Sequence, residues 1–513
     1  MKSIDFLMLI APYKPFIRPF DVLYPFSYQF KKNDVLPLPY GVLSLLGALR
    51  NDCDLGFYDL AHFKYLTQET LQSTIEVVLR TYNPKIVGLQ SYTFNFNALK
   101  KSVEYIKAFN KDIITIAGGP HVTFLDKDSI DECEGNLDIV VRGEGETILP
   151  ELVVKLLKGN SIEEVKGITT KQFRTADAPL LTEAELNKLA LPAFELIPPQ
   201  EKIYQHIYFP ITSSRGCPYK CLFCTSNQFW RGCVRITDAN VVINILNYLI
   251  ETFGKGKLVL EFTDDILPII VEKFERLVDL YISEVNIPVT FALTRANLTD
   301  NKRLELLKKL LQDTGILSIG LENGNESVLK IMRKPSWEIS LTALQKIKEH
   351  DLKVIPSWII GHPGESLETM VENLEKIEYL FQKNLINNLI PFIWTPLPGT
   401  EVFDNPEKYH VKIVSRNWDR YDRAIFLPPF HLMDTQNENI VLSNQQIWAY
   451  FLNVISLCNK KSQNSGIKDK RREMPLDKFL NKVRNDNYYT LFNPTRDGDA
   501  NYFVDLDSYL ICD

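Results

Sequence analysis

The stretch Ser213-Ser-Arg-Gly-Cys-Pro-Tyr-Lys-Cys-Leu-Phe-Cys224 decides how this chain reads. It sets Cys217, Cys221 and Cys224 in a C-x3-C-x2-C spacing on a short loop, so that three thiolates can converge on one metal centre. A structural tetrahedral site wants four ligands. A cubane cluster held by three cysteines instead leaves one iron open to bind something else. A zinc knuckle completed by Cys233 or a distant His would also use these thiols, as would three free cysteines in a core. The surroundings weigh against both, because a strand-like run, Tyr208-Phe-Pro-Ile-Thr-Ser213, leads straight into the loop and strand–helix alternations follow it.

The triplet, with the aromatic Phe223 just before its last cysteine, resembles the radical S-adenosylmethionine (SAM) superfamily. That resemblance implies a [4Fe–4S] cluster on Cys217, Cys221 and Cys224, whose open iron chelates SAM. Downstream, strand-like segments recur at Tyr208–Thr212, Leu258–Phe262, Val289–Leu293, Ile316–Leu321, Val354–Ile360 and Leu389–Trp394. Six βα units fit the partial (β/α)6 barrel of the superfamily, in which sites sit at the carboxyl ends of the strands. The residues at those ends are Glu261 and Asp264 after the second strand, Arg295 after the third, Glu322 after the fourth, Gly361 after the fifth and Thr395 after the sixth. Under the resemblance they and Phe223 line the SAM site. A guanidinium such as Arg295 suits bidentate pairing with a carboxylate.

Upstream, residues 1 to 160 alternate short β-rich runs (Ile4–Ile10, Leu55–Tyr58, Ile86–Leu89, Ile113–Ala117, Ile139–Val141) with helical patterns near Tyr40–Arg50, Thr70–Arg80, Asn97–Asn110 and Thr147–Leu157. Such alternation predicts a doubly wound α/β domain with a parallel sheet, whose ligands bind at the carboxyl ends of the strands. The loops there read Gln90-Ser91-Tyr92-Thr93, Gly118-Gly119-Pro120-His121 and Arg142-Gly143-Glu144-Gly145-Glu146. Paired glycines let a backbone approach a flat or bulky ligand that a Cβ would hold off. With Tyr40 in Pro37-Leu-Pro-Tyr40-Gly41, these loops resemble the Rossmann-like cobalamin-binding domain of class B radical SAM enzymes. The resemblance assigns Tyr40, Ser91, Gly118, Gly119, Pro120, His121, Gly143, Glu144 and Gly145 to cobalamin. The sequence departs from the Asp-x-His-x-x-Gly pattern that supplies a lower axial histidine. The nearest string is Asp59-Leu-Ala-His62-Phe-Lys-Tyr65, so cobalamin without a histidine ligand is expected. The alternative is a flavodoxin-like domain without its ligand.

Between these regions, residues 161–206 read as a linker, with a strand near Ile168–Gln172 and prolines at 179, 192, 198 and 199. The barrel is expected over 207–396 and a mostly helical capping region over 397–513. In that last region the aromatics Trp418, Tyr421, Phe426, Phe430, Trp448, Tyr450 and Phe451 are dense. They read first as the core of the cap, with the alternative that some line the substrate mouth. The basic run Lys460, Lys461, Lys468, Lys470, Arg471, Arg472 reads as a solvated loop.

Composition narrows the class. With 513 residues, 45% hydrophobic and 24% charged, the chain is ordinary globular material long enough for two or three domains. A net charge of -6 argues against nucleic acid as a partner. Eight unevenly spaced cysteines do not make a secreted disulfide framework. The run Met1–Ile10, interrupted by Asp5, reads as a buried strand and not a signal peptide, and no uncharged stretch nears the roughly 20 residues that span a bilayer. A cytoplasmic, monomeric enzyme is expected.

Taken together, the resemblance implies a cobalamin-dependent radical SAM methyltransferase. Its cofactors are a [4Fe–4S] cluster, SAM and cobalamin. It would act on an unactivated carbon of a small-molecule or peptide substrate and draw electrons from a partner such as flavodoxin or ferredoxin. The protein positions the cofactors and keeps out water while they do the chemistry. A cyclase or rearrangement enzyme with the same cofactors would need the same loops. A non-enzymatic cobalamin or iron–sulfur sensor would not need the charged strand ends. A methylthiotransferase would need a second cysteine triplet upstream, where only Cys53 and Cys133 lie.

Overall fold

The computed structural model describes residues 3–12, 35–60, 68–198, 205–421, 428–434 and 439–461. The first third of the chain gives β1 (Phe6–Ile10), β2 (Val35–Pro37), β3 (Leu55–Asp59), β4 (Ile86–Gln90), β5 (Ile114–Gly118), β6 (Ile139–Val141) and β7 (Ile168–Thr170). The middle gives β8 (His206–Ile211), β9 (Ser214–Arg215), β10 (Arg235–Ile236), β11 (Leu258–Phe262), β12 (Val289–Thr294), β13 (Ile316–Glu322), β14 (Lys353–Ile360) and β15 (Ile390–Ile393). The last part adds β16 (Val411–Ile413), β17 (Phe430–Met433) and β18 (Ile440–Leu442).

The first sheet runs β3-β1-β4-β5-β6-β7. Its first five strands are parallel, as the strand–helix alternation predicts. A strand covered on both faces needs an unbroken apolar run, and Phe-Leu-Met-Leu-Ile of β1 is buried at every position. Helices 40–49 and 145–157 cover one face, and helices 68–82 and 96–109 the other. The order reverses between β1 and β4, which places the ligand crevice of a doubly wound sheet beside the loop after β4.

The second sheet runs β15-β14-β13-β12-β11-β8-β2, parallel throughout, with the six expected barrel strands in sequence order. The cores of the two sheets merge, because Phe6, Met8 and Ile10 of β1 belong to the same buried cluster as Phe209, Leu260 and Leu317 of the barrel.

Two strands cross the borders that the sequence suggests. β2 lies within the span 1–160, yet it hydrogen-bonds to β8 at the barrel edge, pairing Leu36 with Ile207. β7 lies in the expected linker, yet it closes the first sheet antiparallel to β6. Both cover what would otherwise be an exposed sheet edge. The rest of the linker also packs: Ala193 N–H donates to Leu43 O at 2.9 Å, and a Cβ on Gly47 would lie 2.3 Å from Leu191 O.

The C-terminal region combines helix 444–461 with a three-stranded antiparallel sheet, β16-β17-β18. The helix packs on β15, β14 and helix 367–382. Trp418 and Tyr421 instead enter the core of the first domain, where Trp418 Nε1 donates to Glu132 at 3.0 Å. Phe430, Tyr450 and Phe451 are buried and Trp448 is half-buried, so the described aromatics form a core. Phe426 and the basic residues from Lys468 to Arg472 lie outside the described residues. No described helix is long and apolar enough to cross a membrane.

Candidate cofactor and active site

The cysteine loop leaves β8 and is held by carboxylates from the end of β11. Asp264 is buried and accepts from Ser213 N at 3.2 Å, Ser213 Oγ at 2.8 Å and Ser214 Oγ at 2.5 Å. Burial still pushes its carboxyl up to about 6. Asp265 accepts from Gly216 N at 3.0 Å and from Ser226 Oγ. Gly216 has φ +98°, and a Cβ there would lie 2.0 Å from Cys233 O, so only glycine fits the bend that turns the chain toward Cys217. On the far side Leu222 N donates to Met332 O at 3.2 Å.

All three cysteines are half-buried and free. Burial raises Cys224 and pushes Cys217 up to about 11, so a bound metal must displace thiol protons. The loop offers three thiol donors, at Cys217, Cys221 and Cys224. A structural zinc site wants four ligands, whereas a cubane gives each thiolate its own iron. The donor set therefore fits a cluster better than zinc. Arg295 adds a positive charge: its Nη1 donates to Cys221 Sγ at 3.0 Å, and its guanidinium lies 4.1 Å over the Tyr219 ring. Its Nη2 donates to Arg333 O at 3.1 Å, and its Nε is buried without a partner.

The remaining barrel ends differ in what they leave open. Glu261 lies inside the sheet, accepting from Tyr208 Oη at 2.9 Å and lying 3.2 Å from Thr290 Oγ1, and burial pushes it up to about 8. Glu322 sits in the left-handed region at φ +70°, accepting from Ser357 Oγ at 2.9 Å and lying 3.4 Å from Lys334 Nζ. Glu365 binds Gly361 N at 2.5 Å, His362 N at 3.1 Å and the amides of Asn323 and Asn373, which fixes the turn after β14. Gly361, at φ +81°, faces Ile447 and Phe430 of the C-terminal region. An aromatic row then runs from the cysteine loop to that region. Phe223 meets the buried His362 ring edge-on at 6.1 Å, His362 meets Trp394 at 5.7 Å, and Trp394 meets Phe430 at 4.6 Å. His362 Nδ1 lies 2.9 Å from Pro363 O, whereas His362 Nε2 and Trp394 Nε1 have no partner. Thr395, next along the chain, is buried.

The loops of the first domain carry glycine and unpartnered polar atoms. Ser91 N donates to Gly118 O at 2.8 Å. Gly119 adopts φ +115°, ψ 178°, and a Cβ there would lie 2.5 Å from Ser91 O. Pro120 then opens helix 120–124. Ser91 Oγ, Asn95 Nδ2 and His121 Nε2 are buried without partners beside this crevice, a donor and acceptor set that fits a large polar ligand. His121 itself is wedged between Phe96 at 4.2 Å and Trp418 at 4.7 Å, and burial pushes it down to about 3. His62 lies outside the described residues. Gly143 has φ +78°, and its N–H donates to Thr123 Oγ1 at 3.1 Å.

Contacts that single residues of the sequence did not announce join the two loop sets. Arg215, two positions before Cys217, donates to Glu144 at 2.7 Å and to Glu146 at 2.6 Å. Arg235 donates to the other oxygen of Glu144 at 2.5 Å. Half-buried Tyr40 lies near the same charges, with its ring 5.2 Å from Phe209, and burial raises its hydroxyl. The sequence shows the participants, two glutamates flanking a glycine after β6 and an arginine before the cysteine loop, but nothing in it shows their pairing.

Known proteins resemble this chain in sequence and fold. Residues 36–153 match the B12 binding domain, and residues 211–377 match the radical SAM superfamily. An uncharacterised methyltransferase of Pyrococcus horikoshii is 27% identical over 397 residues, covering 75% of this chain and 81% of that protein. The anaerobic magnesium-protoporphyrin IX monomethyl ester cyclase of Rubrivivax gelatinosus is 24% identical over 439 residues, covering 82% and 74%. Among solved structures, the radical S-adenosylmethionine methyltransferase TsrM from Kitasatospora setae, with cobalamin and a [4Fe–4S] cluster bound, superposes with a TM-score of 0.61 at 14% identity. That match covers 86% of this chain and 83% of the other.

Proposed function

Because the chain belongs to the cobalamin-dependent radical SAM methyltransferases, we propose that it methylates an unactivated carbon of a small natural-product or peptide substrate held between its two loop sets. The observation that carries this reading is the buried ion-pair bridge from Glu144 and Glu146 to Arg215, which turns the glycine loops and the cysteine loop toward each other. When bound, the cluster and SAM would supply a radical that abstracts a hydrogen atom from carbon, and cobalamin would supply the methyl group. The residues of the chain hold and shield these groups. Cys217, Cys221 and Cys224 would carry the cluster. Arg295 would place positive charge against Cys221 and keep Nε for an acceptor such as the SAM carboxylate. Glu322, Gly361, Thr395 and Phe223 would form the walls of the SAM site, while Glu261 and Asp264 support it from behind.

On the other side, Gly118, Gly119 and Pro120 would let cobalamin lie against the backbone, with Ser91, His121, Tyr40 and the Gly143–Gly145 turn around it. Both oxygens of Glu144 are engaged by arginines, so its part would be to support that turn. We also place the protein in the reducing cytoplasm as a monomer, with a low-potential donor such as flavodoxin or ferredoxin and no nucleic-acid partner.

The cyclase among its relatives motivates one alternative, ring closure without methyl transfer. The ratio of the two adenosyl products, measured with candidate substrates, separates them. Methylation should give one S-adenosylhomocysteine and one 5'-deoxyadenosine per product. Product formed without S-adenosylhomocysteine would refute methyl transfer.

A further inference from the structure

Arg215 and Arg235 stand across from each other in the short β9–β10 ladder that frames the cysteine loop. Both reach into the first domain. Arg215 Nη1 takes Glu144 Oε1 at 2.7 Å and its Nη2 takes Glu146 Oε1 at 2.6 Å, while Arg235 Nη1 takes Glu144 Oε2 at 2.5 Å. Leu181 completes the group, its N–H donating to Glu144 at 2.8 Å and its carbonyl accepting from Arg235 at 2.8 Å. Arg235 also lies 5.1 Å over the Trp230 ring. The side chains of Arg215, Arg235, Glu144 and Glu146 are 15%, 8%, 3% and 8% exposed. Two cations and two anions are thus shut away with no net charge.

Such a group is a poor device for stability, because the cost of desolvating charges offsets their attraction, but it is well suited to fixing register. Apolar surfaces can slide over one another. A planar guanidinium whose two nitrogens each meet a different carboxylate cannot. The carboxylates sit two residues apart, Glu144 just before helix 145–157 and Glu146 in its first turn, so Arg215 senses both the distance and the rotation of that turn. Its own backbone runs directly into Gly216 and Cys217.

We propose that Arg215 and Arg235, acting on Glu144 and Glu146, are positioning residues that set the separation and orientation of the cysteine loop relative to the glycine loops, and through them the distance between the two cofactors. This rests on the functional reading above, since it presumes a cluster on one side and cobalamin on the other.

The test is the magnetic coupling between the reduced cluster and cob(II)alamin in the full-length holoenzyme, read by electron paramagnetic resonance alongside iron and cobalamin content. The parent should give one narrow distance distribution. Arg215→Met should keep both cofactors while broadening that distribution about twofold or more, because the two-point contact is gone. Arg215→Lys should fall between the two, since an ammonium is a point charge that cannot hold both carboxylates in one plane. Glu146→Gln should broaden it least. In the same samples, 5'-deoxyadenosine formed without S-adenosylhomocysteine should rise in the order of the broadening. An Arg215→Met distribution identical to that of the parent would overturn the proposal and leave the functional reading standing. If Arg215→Met does not retain iron, Glu146→Gln decides in its place, with unchanged coupling again the overturning result. A parent that takes up only one cofactor would overturn the functional reading and this proposal with it.

Discussion

The two sets of strand-end loops follow opposite plans. At the first sheet the crevice is shaped by what is missing. Gly119 has no side chain where a Cβ would strike Ser91 O, and Ser91 Oγ, Asn95 Nδ2 and His121 Nε2 have no partner. At the barrel the carboxylates are occupied from within: Asp264 by two serines, Asp265 by Gly216 and Ser226, Glu365 by two backbone and two side-chain amides. Among the described residues at these strand ends, the buried side-chain atoms left without a partner are nitrogens, on Arg295, His362 and Trp394. A broad ligand that meets backbone needs space and loose polar ends, whereas a cluster held by three thiolates needs a loop that does not move. The difference teaches that acidic residues near a radical SAM loop can serve as its scaffold rather than as ligands.

The sharpest way to break this comparison is to remove one site and watch the other. Replacing Cys217, Cys221 and Cys224 together with Ala should take iron from about four per chain to none in anaerobically reconstituted protein. Cobalamin affinity, measured by the change in its visible spectrum, should stay within about twofold, because removing the thiols leaves the bridge from Arg215 to Glu144 and Glu146 in place. Iron retained in the triple variant would show that the cluster lies elsewhere.

The reverse experiment has a smaller expected effect. Gly119 combines φ +115° with ψ 178°, a region essentially closed to residues with a Cβ. Gly119→Val should therefore destabilise the chain by about 1–3 kcal/mol from backbone strain alone, and it should weaken cobalamin binding by about tenfold or more by lifting the loop from Ser91. Iron content should not change. Denaturation midpoints and cobalamin titration check the two halves. Full cobalamin affinity in Gly119→Val would mean that the ligand does not approach this backbone.

How much of this was legible in the sequence depended on distance along the chain. The parallel strands were, because buried strands such as Phe6–Ile10 and Ile139–Val141 are continuous apolar runs. The cysteine loop was, because its spacing is local. β2 was not, because three residues ending in proline carry no period that tells which sheet they join. Nor was the three-stranded sheet near the C-terminus, whose strands are three or four residues long, too short to show a period. The arginine bridge was the largest gap. Arg215 and Glu144 are 71 residues apart, and an ion pair at that separation leaves no local pattern. Glu261 was legible as an acidic strand end but not as a core group. Its direction is decided by the pleat, which turns it between Tyr208 and Thr290.

That placement gives the smallest predicted effect, and a pH dependence with a definite sign. Burial pushes the Glu261 carboxyl from 4.5 up to about 8 in the folded chain, so near neutrality the folded state holds a proton that the unfolded state has lost. Stability then falls as pH rises from the unfolded value toward about 8, since the folded state binds more protons over that window. Glu261→Gln removes this titration while keeping the hydrogen bonds: the amide oxygen can accept from Tyr208, and the amide N–H can donate to Thr290 Oγ1, whose own hydroxyl can turn to Leu260 O at 3.1 Å. At about pH 5 the variant should lie within about 1 kcal/mol of the parent, as exchange of one neutral hydrogen-bonding group for another implies. By about pH 8.5 the urea midpoint of the variant should have gained on that of the parent. Iron and cobalamin content should be unchanged at both values, because the group supports the barrel from inside the sheet. A gap between midpoints that stays constant with pH would show that Glu261 is ionised in the folded chain. A variant that loses SAM binding while keeping iron would move Glu261 from the scaffold to the site, and the barrel would then share the open-ended plan of the first domain.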